Sequence, residues 1–258
     1  MLTDIKKTAR SRIILAVDVS DPGKALDLVQ PLIDHVDMVK LGLEFWTSIA
    51  MDFILTDGAE LAGLHGAYKA LFMMLNGKIM DDWKLHDTSN TMGRAALNLA
   101  RMKSKYLTVH ASAEIDGMMA AVKACKDTDC GILAVTVLTS LSEEQANLTF
   151  NAPSKAKVLQ FARNAVLAGC AGIVCSPQEL EIIGKRPELA KLVKITPGVR
   201  PKGSSQGDQK RILTPSEAIR LGADKMVIGR PITDDPDPIA ATERIVEEIA
   251  EALTDAHE

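Results

Sequence analysis

The sequence predicts an α/β protein, a single-domain (β/α)8 TIM barrel spanning residues 1–258. Three observations carry that expectation. Short apolar runs recur eight times, each followed by a segment of helical period. The alternation is unbroken by a linker, a low-complexity stretch or a shift in composition. Eight such units in 258 residues suit a closed barrel better than an open sheet.

The elements follow in order. Arg12 to Asp18 (RIILAVD) reads as the first strand, and Asp21-Pro22 as the cap and first turn of the helix after it. Asp37 to Gly42 is the second strand. A long helical stretch from Phe45 to Asn76 comes next, with Gly58 and Gly66 expected to break it. Lys78 to Leu85 is strand three and Thr91 to Met102 its helix. Tyr106 to His110 is strand four, with a helix through about Lys123, and Gly131 to Leu138 is strand five. A polar excursion, Ser142 to Pro153, precedes a helix from Ser154 to Leu167. Ala171 to Cys175 and Leu192 to Thr196 are strands six and seven, with a helix from Pro177 to Lys185 between them. A Gly/Ser/Lys-rich loop, Gly198 to Leu213, leads into the capping box Thr214-Pro215-Ser216-Glu217. Lys225 to Ile228 is strand eight, and Ile239 to Leu253 closes the chain.

Composition excludes several classes. Hydrophobic residues are 47%, charged residues 25% and the net charge −4, with no basic stripe, so neither nucleic acid nor an anionic membrane is an expected partner. No stretch reaches the ~18 apolar residues of a membrane span. Met1 to Arg12 is polar and charged rather than a secretory signal, which places the protein in the cytoplasm. Cys125, Cys130, Cys170 and Cys175 form two C-x4-C pairs, wider than zinc knuckles use, and read as buried, reduced thiols. Zinc is therefore not expected at these pairs.

In a barrel of this kind the chemistry sits at the C-terminal strand ends. Those ends carry Asp18, Lys40, Asp82 and Lys84, with Asp87 just beyond, then His110, Thr139 and Ser140. Arg200 and Gln209 follow strand seven, and Gly229 and Arg230 follow strand eight. Strand alternation puts Met80, Asp82 and Lys84 on one face and turns Asp81 and Trp83 toward the helices. A carboxylate beside Lys84 favours the ammonium and poises it as a proton donor. The loops after strands seven and eight form the expected phosphate cradle, in which Gly229 permits close backbone approach and Arg230 offers a planar fork. The glycines of the 198–213 loop suit a lid. His110 is expected to satisfy a buried hydrogen bond rather than to catalyse.

At these residues the sequence resembles the orotidine 5′-monophosphate decarboxylase family, in its bacterial form. The matching pieces are LAVD at 15–18, VKLG at 39–42, DWKLHDTSNT at 82–91, TVLTS at 136–140, TPGVRPKGSSQGDQKRILTP at 196–215 and VIGRPI at 227–232. The resemblance implies decarboxylation of orotidine 5′-monophosphate to UMP, the last step of de novo UMP synthesis, without a cofactor. It implies that Lys84 protonates C6 while Asp82 sits near the departing carboxylate. Lys40, Asp82 and Lys84 would join Asp87, lent by the other subunit of a homodimer, in an alternating charged array. Asp18 and Lys40 would contact the ribose, and Thr139 with Ser140 the base. Arg200, Gln209, Gly229 and Arg230 would hold the phosphate, with Thr91 and Pro197 also binding substrate.

Two departures stand out. Thr88-Ser89 replaces the family's usual Ile-Pro, and Asp81 stands where an apolar residue is usual and would need a buried partner. One alternative is a phosphate-sugar decarboxylase or aldolase of the same superfamily, which resembles this chain in D-x-K-x-x-D but places a magnesium-binding glutamate where Lys40 stands. The other is a non-catalytic nucleotide-binding barrel.

Overall fold

The computed structural model describes residues 2–201 and 213–255. Eight parallel strands close in sequence order, β1 to β8, into a barrel. They are β1 (Ile13–Val17), β2 (Met38–Gly42), β3 (Ile79–Leu85), β4 (Tyr106–His110), β5 (Gly131–Val135), β6 (Gly172–Val174), β7 (Val193–Pro197) and β8 (Lys225–Ile228). Both faces of each strand are covered, which is why the strands read as near-continuous apolar runs. Inward-facing Ile14, Ala16, Met38, Met80, Tyr106, Leu133, Ile195 and Val227 fill the barrel. Ile13, Leu15 and Val17 point the other way into the larger core between strands and helices. The staves pack closely: a Cβ at Gly172 would lie 2.3 Å from the Val193 carbonyl oxygen.

The helical layer begins with α1 (Leu2–Arg10), a helix that lies before the first of the expected strand–helix units. Its partners lie more than 200 residues away. Lys6 pairs with Glu247 at 3.0 Å and Arg10 with Glu243 at 2.9 Å, fixing it to the last helix. After α2 (Pro22–Val29), capped by Asp21 onto the Lys24 N–H at 2.7 Å, the long apolar stretch divides into α3 (Leu43–Leu55) and α4 (Gly58–Met74). Gly58 supplies the break with φ +57°, whereas α4 runs straight through Gly66. Tertiary packing offsets the ~1 kcal/mol that an interior glycine costs a helix. Trp46 of α3 stacks between Phe72 and Trp83, at ring distances of 5.7 and 5.5 Å.

The next helices are α5 (Ser89–Ala100), which opens two residues before the expected Thr91, and α6 (Glu114–Cys125). Strand β5 ends at Val135 rather than Leu138, with Thr136 and Val137 still buried beyond it. The excursion expected as a loop folds as α7 (Glu143–Phe150). Ser142 and Gln145 form a complete capping box at its start, and Asn151 ends it in the left-handed conformation, φ +50°. Then come α8 (Ser154–Ala168), α9 (Leu180–Gly184), α10 (Pro215–Arg220), the short α11 (Arg230–Thr233) and α12 (Pro238–Asp255). All four cysteines are free and buried, as the sequence reading expected. Among the described residues no helix is long and apolar enough to cross a membrane.

One irregularity shapes the site. Strand β3 pairs regularly with β4 up to Asp81↔Leu107, and the next pair is Leu85↔Val109. Four steps along β3 therefore match two along β4, and Lys84 within this bulge has φ +50°.

Candidate active site

Two adjoining cavities open at the C-terminal ends of the strands and share Lys40, Pro197 and Val227. The smaller, about 190 Å³, has apolar walls from Met80, Val135, Val137, Leu138 and Val174, with Thr139 at its rim and Asp82 and Lys84 on its floor. The larger, about 570 Å³, is bounded by Asp18, Gly198, Arg200, Gly229, Arg230, Thr233 and Asp234.

The charges between them form a chain. Lys84 Nζ lies 2.7 Å from Asp82 Oδ2, Lys40 Nζ lies 3.7 Å from the same oxygen, and Lys40 Nζ also donates to Asp18 Oδ1 at 2.9 Å. Gly42 leaves room for that pair, since a Cβ there would meet Lys40 Nζ at 3.2 Å and Asp18 Oδ1 at 3.4 Å. Burial alone would raise the Asp82 pKa. The charges of Lys84 and Lys40, with hydrogen bonds from Lys84 and Thr108, outweigh it and hold the carboxyl below its usual range. Asp82 is thus an anion at neutral pH, with cations on two sides. The His110 imidazole is pushed the other way: burial, then His86 and Lys84, favour its neutral form. Among the described residues no hydrogen bond to the His110 ring forms, contrary to expectation, and the ring lies 5.6 Å from that of His86.

At the far end of the larger cavity Arg200 is buried and donates from Nη1 to the Val199 carbonyl at 3.0 Å. Gly229, directly after β8, lies so close to β1 that a Cβ would meet Ala16 Cβ at 3.3 Å. Arg230 follows at the first position of α11. A dianion seated here would meet two guanidinium groups, while a planar ring in the smaller cavity would lie over the Lys84 ammonium.

Residues 11–245 match the family model described as Orotidine 5′-phosphate decarboxylase / HUMPS family. The chain belongs to that family. Relatives named orotidine 5′-phosphate decarboxylase include one from Rhodopseudomonas palustris, 39% identical over 94% of this chain and 95% of its own length. Another, from Moorella thermoacetica, is 37% identical over 95% of this chain and 94% of its own. The fold matches the crystal structure of an orotidine 5′-phosphate decarboxylase from Lactobacillus acidophilus with TM-score 0.74 and 28% identity, covering 93% of this chain and 99% of that one.

Most residues expected from the resemblance to the decarboxylase family meet in these cavities. Asp18, Lys40, Pro197, Arg200, Gly229 and Arg230 line the larger one, and Lys40, Asp82, Lys84, Thr139 and Pro197 the smaller. Gln209 and the middle of the 198–213 loop expected as a lid, residues 202–212, lie outside the described residues. Thr91 and Ser140 are exposed and line neither cavity. Asp87 is also exposed, and its Oδ1 accepts from the Thr88 N–H at 2.6 Å rather than from Lys84 of its own chain. Ser89 occupies the first position of α5, where the family's proline would sit, so helix entry is preserved. Asp81 turns outward as expected and finds its partner in the buried hydroxyl of Ser104. Sequence reasoning missed Thr233 and Asp234 on the larger cavity, and Thr108 beside Lys84.

Proposed function

We propose that the protein decarboxylates orotidine 5′-monophosphate to UMP and carbon dioxide. The observation that carries this reading is the Asp18–Lys40–Asp82–Lys84 charge chain, joining an apolar slot to a cavity with two arginines. The phosphate sits against Arg200, Gly229 and Arg230, with Gln209 contributing from its loop. Asp18 and Lys40 hold the ribose, and the base enters the smaller cavity past Thr139 and Ser140.

As the bond from C6 to the carboxylate breaks, carbon dioxide leaves and the electron pair stays in an sp2 orbital that the ring delocalises poorly. Stabilisation must then come from a cation fixed beforehand. Lys84 supplies it and donates a proton to C6; solvent reprotonates the amine. Asp82 orients Lys84 through their 2.7 Å contact. Binding energy from the remote phosphate helps assemble the site.

The working unit in this proposal is a homodimer, in which Asp87 completes the charged array of the neighbouring subunit. Its exposure, two residues after the strand that carries Lys84, supports that role. The names of the curated relatives favour the nucleotide substrate over the phosphate-sugar branch, and Lys40 places a cation where that branch needs a metal-binding carboxylate. The test is loss of orotidylate absorbance with purified protein, with and without EDTA. Turnover indifferent to EDTA is expected. EDTA-sensitive turnover of a sugar phosphate, with none of orotidylate, would move the protein to the other branch.

A further inference from the structure

Within the β3 bulge, Asp82, Trp83 and Lys84 stand opposite Thr108 alone. A bulge frees backbone groups from the ladder, and a buried N–H left without a partner costs as much as a lost hydrogen bond. Lys84 also holds φ +50°, a region that a lysine rarely occupies without local support. The Thr108 hydroxyl answers both demands. Its Oγ1 accepts the Lys84 backbone N–H at 2.8 Å and donates its own proton to Asp82 Oδ1 at 2.9 Å. Thr108 is fully buried and lines neither cavity, so it acts on substrate only through these two neighbours.

We infer that Thr108 is a positioning residue for the decarboxylation: one hydroxyl ties the backbone of the proton donor to the carboxylate that orients its ammonium. The inference rests on the role of Lys84 proposed above. The hydroxyl is used as donor and acceptor at once, which restricts what can replace it. Valine keeps the branched shape and supplies neither bond. Serine keeps both bonds and loses a methyl group. A misplacement of about 1 Å at a reacting group can cost ~100-fold in rate.

The experiment compares Thr108→Val, Thr108→Ser and wild type as homodimers, with folding checked by circular dichroism. Thr108→Val is expected to lower kcat about 100-fold while KM for orotidylate changes less than about threefold. The acid limb of its kcat profile should move to higher pH, because the Asp82 anion has lost a hydrogen bond. Thr108→Ser should restore kcat to within about fivefold of wild type. If Thr108 merely fills space, the order reverses, with valine harmless and serine impaired; that order, or an unchanged acid limb, overturns the inference. Should Thr108→Val fail to fold, Thr108→Cys, a weak donor and acceptor, is expected between serine and valine, and full activity there contradicts the proposal. An active wild type, a dead Lys84→Ala and an active Thr108→Val would sink this inference alone. An active Lys84→Ala would sink the role of Lys84 itself.

Discussion

Lys84 and Asp82 stand two residues apart on one strand, and their charged atoms meet at 2.7 Å. In a regular strand, side chains at that spacing run parallel, ~6.6 Å apart at the backbone. Here the strand turns left-handed at Lys84, and the ammonium leans back onto the carboxylate while still reaching the smaller cavity. The same oxygen of Asp82 faces Lys40 at 3.7 Å, so both cations are arrayed around one anion before substrate arrives.

Arg230 tests the phosphate end. Arg230→Ala is expected to weaken binding of UMP by roughly 10- to 100-fold, the range for a lost charge-assisted hydrogen bond, and to leave uridine binding nearly unchanged. Calorimetric titration of both ligands decides it. Equal losses for both would remove Arg230 from the phosphate site.

Asp87 tests the proposed sharing of the site between two subunits. Lys84→Ala and Asp87→Ala should each be nearly inactive as homodimers. Mixing them before reassembly gives hybrids with one site lacking both groups and one site intact. Random pairing should restore up to about a quarter of wild-type activity. No recovery, with hybrids verified by mass spectrometry, would place Asp87 outside the neighbour's site.

Asp81 tests the electrostatics behind the site. Burial, opposed by the Ser104 hydrogen bond and assisted by the charge of Asp82, pushes its pKa up to about 7 from an ordinary 3.8. Between those values the unfolded chain releases this proton and the folded chain keeps it, so stability falls as pH rises and levels off above about 7. Asp81→Asn removes the titration. Denaturant melts should show the two proteins alike near pH 4 and the variant more stable at pH 8, by up to about 4 kcal/mol. Parallel stability curves would contradict the assignment. Asp82 behaves oppositely: its lowered pKa contributes stability above the unfolded value of ~3.9, lost only as pH falls through the still lower folded value.

Much of this was legible in the sequence because its signals are local. Strand alternation placed Met80 inside the barrel, turned Asp81 and Trp83 toward the helices, and put Asp82 and Lys84 on the pocket face. Asp21-Pro22 and Thr214-Pro215 marked helix starts correctly. Helix α7 also carries a local signal, the Ser142 and Gln145 capping box, but it lies within the polar excursion and was not read as a helix. Helix α1 was not legible, because its partners Glu243 and Glu247 are distant in the chain. The bulge was invisible for the same reason: it is set by the register of β3 against β4, and Thr108 looks like any other strand threonine until that register is known.

In the proposed reaction the Lys84 ammonium protonates C6. A single-turnover experiment with excess enzyme, following orotidylate conversion to UMP by rapid quench, tests it without interference from product release. Wild type should convert all bound substrate, and Lys84→Ala should bind orotidylate yet form UMP at least about 1000-fold more slowly. Conversion by a folded Lys84→Ala within about tenfold of the wild-type rate would contradict the account.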